Sequence, residues 1–355
     1  MKQQKKKVPV LIVVLLWLLA LAAVGGTGAY ALWNRALSPR DSDGPGTSYR
    51  LKVQSGMSVQ EVARTLEEAG IIRSAAAFYV AVRFQLFSPG VPFTLKVGTY
   101  TVKSTMSLEE IYVLVQTGTP EYVTVSIPEG LTLSKTAAIL EASGLCRAED
   151  FKAAARDSQL LEAYGIPADS LEGYLFPDTY YFNEDADAAA IVRQLVDTFF
   201  AKLSDAGIGT GLAPEALHHI VILASIVERE YRAAPEAPLI AGVFENRLAA
   251  GMALGSCATI EYIITEELGK PHPTHIYYAD LEIDSPYNTY RNTGLPPGPI
   301  ANPGLVALQA AATPAQTENL YFVLTDPEAG THTFSKTLQA HESAKNQVYT
   351  TKGSR

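Results

Sequence analysis

The stretch His218–Glu230, HHIVILASIVERE, decides how this chain is read. From Ile220 to Val227 every residue except Ser225 is apolar, so the helix it forms is hydrophobic nearly all round, the pattern of a buried helix rather than a surface one. Pro214 and Glu215 suit its first turn. The first acid after the apolar run is Glu228. A carboxylate in that place is partly withdrawn from water, which penalises its charged form and raises its pKa toward the range of a general acid. Glu228 is therefore the first candidate for chemistry. The competing reading makes Glu228, Arg229 and Glu230 only the solvated end of a core helix.

Working outward toward the N-terminus, residues 1–7 form a basic tail with Lys2, Lys5, Lys6 and Lys7, and residues 8–33 then run without a charge. A helix of that length reaches roughly 39 Å against roughly 30 Å of bilayer hydrocarbon, so a single N-terminal transmembrane helix is expected over 8–33. Lysines before the span, and only Arg35 and Arg40 just after it, place the N-terminus in the cytoplasm and the rest of the chain outside. A cleaved signal peptide is the rival, but the apolar run is much longer than a signal core. Residues 34–48, rich in Pro, Gly, Asp and Ser, read as a flexible linker. The net charge is −9; the anchor region holds five of the 28 basic residues and no acid, which leaves 23 basic against 37 acidic side chains from residue 36 onward. Such a surface repels nucleic acid and anionic lipid, so binding must come from shaped pockets.

Only Cys146 and Cys257 are present, and two free thiols are expected. No metal site and no cofactor are expected. His272 and His275 lie in a proline loop without a third ligand nearby, and no HExxH motif exists. His218 and His219 are read as helix-surface residues.

Val53–Gly70, VQSGMSVQEVARTLEEAG, aligns without a gap on Ile127–Gly144, IPEGLTLSKTAAILEASG. Each copy reads as a strand, a turn at Gly56 or Gly130, an N-cap at Ser58 or Thr132, and an amphipathic helix closed by Gly70 or Gly144. A looser third copy covers Val102–Gly118. A helix from Ser74 to Gln85 and a strand from Thr94 to Val102 complete the first part. A strand–turn–helix module on the outer side of a bacterial-type membrane anchor resembles the LysM-like glycan-binding modules; the alternative is an ordinary α+β brace for the neighbouring domain.

From Phe151 the chain changes to long helical patterns, about Ala188–Ala206, Pro214–Glu230 and Pro238–Ala250, separated by dense loops. The first loop, Leu171–Phe182 or LEGYLFPDTYYF, surrounds a Pro-Asp with aromatics. Tyr174 and Asp178 in it suit the wall of a sugar cleft, since rings stack on pyranose faces and carboxylates accept their hydroxyls. A loop packed as a small core is the alternative. Ser256 and Thr259 open a helix running to Glu267, where they suit a polar ligand or simply cap the helix. Ser285–Gly304, SPYNTYRNTGLPPGPIANPG, is a long loop of the kind that is functional or disordered, and its Tyr and Pro content argues for order. Asn302 and Pro303 read as N-cap and first residue of a helix through Ala312.

Taken together, ASIVERE at 224–230, EGYLFPDTY at 172–180, SCAT at 256–259, YNTYRNTGLPPGPIANPG at 287–304, ENLYFV at 318–323 and HTFSKTLQAH at 332–341 resemble the MltG/YceG-like endolytic murein (peptidoglycan) transglycosylases. The resemblance covers about residues 49–345 in order. It implies a carbon–oxygen lyase, a lytic transglycosylase that cuts the MurNAc–GlcNAc bond of nascent peptidoglycan strands without water and leaves 1,6-anhydro-MurNAc ends, with Glu228 as catalytic acid. By position in the matched motifs Ser256, Thr259, Asn288, Tyr290 and Asn302 are the substrate-holding candidates, beside Tyr174 and Asp178. Where some relatives carry an acidic residue after the serine, this chain has Cys257. The resemblance also implies glycan strands as the partner, cell-wall synthases as further partners, and a single-pass place in the bacterial inner or plasma membrane with the catalytic domain extracytoplasmic.

The expected organisation is thus an α+β protein: cytoplasmic tail 1–7, transmembrane helix 8–33, linker 34–48, LysM-like α/β module 49–120, mixed α+β catalytic domain 121–345 and C-terminal tail 346–355. Two other functions stay open. A hydrolytic muramidase would need a second carboxylate on the far face of the sugar, for which Asp178, Glu230 and Glu261 are available. A membrane-tethered glycan-binding scaffold would need no turnover at all.

Overall fold

The computed structural model describes residues 10–54, 56–118, 122–184 and 186–352. Helix α1 (Val10–Leu37) opens the chain. Among the described residues no helix is both long and apolar enough to cross a membrane. The residues on which the 8–33 span rests, 8 and 9 and the side chains of 10–16 and 18–24, lie outside those described.

The chain is α+β and divides into two compact units at Tyr122/Val123. In the first, strand β1 (Ser48–Val53) is followed by helices α2 (Val59–Glu68) and α3 (Ala75–Arg83), then by strand β2 (Gly98–Lys103) and helix α4 (Leu108–Thr117). β1 and β2 pair antiparallel, Ser48 opposite Lys103 and Val53 opposite Gly98. Alternate strand residues Leu51, Val53, Tyr100 and Val102 point to one face and bury against Val62, Leu66, Phe78, Ile111 and Val115 of the helices. The capping boxes Ser58/Glu61 and Ser107/Glu110 form at α2 and α4 and fix where each helix starts.

Two expectations change here. Residues 94–97 are irregular, and the strand begins only at Gly98. The stretch expected as a flexible linker is pinned: Arg73 donates to the Pro39 carbonyl at 3.0 Å, the Asp41 N–H donates to the Ser104 carbonyl at 3.0 Å, and the Ser104 hydroxyl donates to the Asp41 carboxylate at 2.6 Å.

In the second unit strand β3 (Tyr122–Ser126) leads through a turn into helix α5 (Leu133–Ala142), and helices α6 (Ala148–Ala154) and α7 (Ser158–Tyr164) follow. The turn glycine Gly130 has φ +74° and Thr132 caps α5, so this second copy of the repeat takes the form of the first, where Gly56 has φ +82°. Strand β4 (Thr179–Asn183) pairs with β3. Helices α8 (Ala188–Asp205), α9 (Pro214–Glu230) and α10 (Ala237–Ala249) come next. Helix α11 (Cys257–Tyr262) runs directly into a π-helical turn over Ile263–Glu267, and helix α12 (Leu305–Ala312) follows the long loop. Strands β5 (Tyr321–Asp326) and β6 (Thr331–Ser335) form an antiparallel hairpin, and helix α13 (Leu338–Lys352) occupies part of the stretch expected as a C-terminal tail.

Helix α9 is the axis of this unit. Val221 to Val227 are all buried, with α10 and α12 packed beside it, which is the environment its all-round apolar pattern demands. Ser225, the one hydroxyl in the run, is satisfied twice: it donates to the Ile222 carbonyl at 2.7 Å and accepts the Ile300 N–H at 3.0 Å. The hydroxyl thereby ties the proline-rich loop to the helix. Gly173 brings a second loop down on α9. Its φ is +88°, and a Cβ there would fall 2.6 Å from the Pro299 ring and 2.9 Å from Val221. Only glycine fits both demands.

His218 is not on the helix surface as expected. It is buried and accepts or donates at 2.8 Å to the Tyr174 hydroxyl, while His219 is exposed and meets Glu245 at 3.3 Å.

Candidate active site at the end of the buried helix

Glu228 stands on the last turn of α9, half-buried. Its Oε2 accepts the backbone N–H of Gly304 at 3.0 Å, and Tyr231 stands near enough to favour its ionised form. Withdrawal from water pushes its pKa up to about 7; the Gly304 N–H opposes the rise, the charge of Glu129 adds to it, and Arg229 and Tyr231 oppose it again. At neutral pH a large fraction of Glu228 therefore carries a proton it can give away.

Two turns deliver these neighbours, and they are stitched together by the backbone. The Gly130 N–H donates to the Asn302 carbonyl at 2.9 Å, and the Asn302 N–H donates to the Leu131 carbonyl at 2.8 Å. The Asn302 side chain adds a third loop. Its Oδ1 accepts the N–H groups of Gly173 and Leu175 at 2.8 and 3.1 Å, and its Nδ2 donates to the Leu131 carbonyl at 2.9 Å and to Glu172 at 3.3 Å. Glu172 is itself buried, and both its oxygens accept the Leu133 N–H at the start of α5. Burial pushes its pKa up to about 8 against that hydrogen bond. One amide and one buried carboxyl thus join the loops at 129–133, 172–175 and 300–304 around Glu228.

Asn302 was expected as a helix cap facing substrate. The structure corrects this: α12 starts at Leu305 with Gly304 as its N-cap, and Asn302 is fully buried because its donors and acceptors are consumed by backbone groups.

The other predicted residues divide in the same way. Tyr174 is a core residue, 1 % exposed, with its hydroxyl on His218 and its ring against Phe199 at 5.1 Å. Phe176, Tyr180 and Phe182 are buried too, so the aromatic loop is a small core rather than a cleft wall; Tyr181 alone of the five rings is exposed. Asp178 lies at the surface, paired with Lys202 at 3.1 Å. Asn288 is fully buried and organises its loop, donating to the Leu281 and Ile283 carbonyls at 2.9 and 2.8 Å and accepting the Tyr290 N–H at 3.0 Å. Thr259 is fully buried, bonded to the Ser256 carbonyl at 2.7 Å and to the Thr289 hydroxyl at 2.9 Å. Asn288 meets its own chain because a loop without strand or helix must satisfy its backbone locally.

Ser256 and Tyr290 do come together at a cavity. Ser256 donates to the carboxylate of Glu230, the other acid of the last turn, whose pKa burial raises. The Tyr290 hydroxyl lies 3.1 Å from the Cys257 sulfur. Around them a cavity of about 670 Å³ is lined by Glu230, Arg247, Tyr290, Tyr321, Phe322 and His341 among others; Glu230, not Glu228, reaches it. Both cysteines are free. Among the described residues no group of three His, Cys, Asp or Glu side chains is placed to hold a metal ion.

Four residues that matter at this site were not singled out from the sequence: Glu129, Glu172, Ser225 and Tyr231. The glycines beside Glu129 and Glu172 were a usable signal, since a turn glycine next to an acid presents that acid at a fixed angle.

A profile of the YceG-like family matches residues 51–347. A protein of Bacillus subtilis (strain 168) named endolytic murein transglycosylase is 31 % identical over 348 residues, 92 % of this chain and 91 % of that protein. A protein of Streptococcus pneumoniae with the same name is 30 % identical over 334 residues, 86 % of this chain but 59 % of that longer protein. The crystal structure of a yceG-like protein from Listeria monocytogenes superposes with a TM-score of 0.54 at 31 % identity, covering 84 % of this chain and 99 % of the other. A family profile spanning most of the sequence, and relatives that align along nearly all of it, place the chain in the YceG-like family.

Proposed function

We propose that the chain is an endolytic murein transglycosylase, the activity its relatives are named for, with Glu228 as its general acid and base. The observation that carries the assignment of the acid is the half-buried carboxyl at the end of α9, pushed up to about 7 and fixed by the Gly304 N–H. In this reading protonated Glu228 gives its proton to the glycosidic oxygen as the MurNAc–GlcNAc bond breaks. The resulting carboxylate then takes the proton of the MurNAc C6 hydroxyl, whose oxygen closes on the anomeric carbon. Both proton transfers use one group, no water enters, and the product is a 1,6-anhydro-MurNAc end.

A second reading gives the acid's role to Glu230, because it reaches the 670 Å³ cavity with its aromatic walls. We favour Glu228, since the Ser256 hydroxyl already occupies Glu230. The apolar run 8–33 supports a single-pass anchor that holds the folded units outside the membrane. The strand–helix–helix–strand order of β1, α2, α3 and β2 supports a LysM-like module beneath it. Cell-wall synthases, which make the strands this enzyme would cut, are the partners this reading expects.

The test is digestion of purified glycan strands by the full-length chain in detergent, wild type beside Glu228→Gln and Glu230→Gln, with products read by mass spectrometry. Anhydro ends from wild type and from Glu230→Gln but not from Glu228→Gln fix the reaction and its acid. Reducing MurNAc ends would make the enzyme a hydrolytic muramidase, and unchanged strands with all three folded proteins would favour a glycan-binding scaffold.

A further inference from the structure

We propose that Glu129 is the working partner of Glu228, a positioning residue whose carboxylate stands beside the acid and favours its protonated form. This rests on the reading of Glu228 as the acid. Glu129 ends the segment that follows β3, one residue before the turn glycine Gly130. A Cβ added at Gly130 would sit 3.6 Å from Cγ of Glu228, so the backbone next to Glu129 rides on the side chain of the acid. Gly304 links the two carboxylates from the other side. Its N–H holds Oε2 of Glu228 at 3.0 Å, and a Cβ added at Gly304 would collide with the carboxylate of Glu129. The pairing of Gly130 with Asn302, and of Asn302 with Leu131, fixes the segment immediately after Glu129.

Glu228 is faced by Glu129 from the turn before α5, by the Gly304 N–H from the start of α12, and by Arg229 and Tyr231 at its own end of α9. The N–H, Arg229 and Tyr231 favour its ionised form, and Glu129 alone among these neighbours opposes it. The Tyr231 hydroxyl is raised by burial first and then by the charges of Glu228 and Glu129. Glu129 is exposed, whereas Glu228 is half-buried. A negative charge next to a half-buried carboxyl disfavours ionisation of that carboxyl and adds to what burial already does to Glu228.

The consequence reaches both proton transfers. With Glu129 charged beside it, Glu228 stays protonated and can donate to the leaving oxygen. Once it has donated, it is a second negative charge beside Glu129, and the repulsion makes it a stronger base toward the C6 hydroxyl proton. The proton that leaves Glu228 for the glycosidic oxygen is thus replaced by the one released as the C6 oxygen bonds to the anomeric carbon.

The experiment is the pH profile of kcat/KM on purified glycan strands for the full-length chain in detergent: wild type, Glu129→Gln, Glu129→Asp and Glu228→Gln, with circular dichroism as the check on folding. Removing the negative charge moves the alkaline limb of the Glu129→Gln profile to lower pH. Its rate therefore matches wild type near pH 5 and falls roughly tenfold behind it near pH 8, the effect of about 1.4 kcal/mol of differential interaction. Glu129→Asp, which keeps the charge on the same turn, returns the limb toward its original place. A Glu129→Gln profile that superposes on wild type, or one lowered equally at every pH and not restored by aspartate, overturns the proposal while an inactive Glu228→Gln leaves the acid assigned. An active Glu228→Gln overturns the acid itself, and the role of Glu129 falls with it.

Discussion

Replacing Glu228 by glutamine should make the protein more stable as it destroys activity, and the gain should depend on pH. The folded-state pKa of Glu228 lies above its ordinary 4.5, at about 7, because burial disfavours the charged form. As pH rises through that interval the unfolded chain gives up this proton before the folded one does, so stability is lost between about pH 4.5 and pH 7 and stays lost above. At about 1.4 kcal/mol per tenfold change the loss amounts to about 3 kcal/mol. Glutamine cannot ionise and still offers an oxygen to the Gly304 N–H, so the variant escapes the loss. For a unit of this size about 1 kcal/mol corresponds to roughly 2–4 °C, and the expected gain near pH 8 is about 6–12 °C in Tm, shrinking toward zero near pH 4.5. Scanning calorimetry of both proteins at several pH values reads it directly. An offset that is the same at pH 4.5 and pH 8, or a variant that melts earlier at pH 8, would refute the claim that Glu228 is held in the folded chain at a cost.

Three further outcomes follow from the hydrogen bonds. Asn302→Ala removes four of them and strands the N–H groups of Gly173 and Leu175; urea unfolding should show a loss of about 3–5 kcal/mol, with activity lost along with it. Tyr174→Phe leaves His218 without its buried partner and should cost about 1–3 kcal/mol while kcat/KM on glycan strands stays at the wild-type value; a lowered kcat/KM in a folded protein would return Tyr174 to the substrate. Ser225→Ala frees the Ile300 N–H in the core and should cost about 1–3 kcal/mol, and a neutral result by thermal melting would show that the loop is not anchored there.

The sequence pattern reveals elements better than it reveals partners. The apolar run and Pro214 define α9 from Pro214 to Glu230, and the glycine and cap positions of the repeat recur in the structure at Gly56, Ser58, Gly130 and Thr132, because backbone dihedrals and burial are local or periodic demands. Side-chain partners are neither. Tyr174 reads equally well as a cleft wall and as core until His218 and Phe199 are seen beside it, and Asn302 next to a proline looks like a helix cap until three loops converge on its amide. Glu129 carries no mark in its own segment beyond the following glycine. What gives it meaning is a carboxyl 99 positions away, at Glu228, brought near by folding.

The junction at Asn302 also has a folding history written into it. Its bonds join residues separated by 127 to 171 positions along the chain. Loops of that length close late, after the helices that carry them have formed, because their entropy must be spent before any contact repays it. The setting of Glu228 is therefore among the last parts of this unit to assemble and among the first to open. On gentle heating activity should fade while the helical signal is still intact, since the helices outlast the knot that aims the acid.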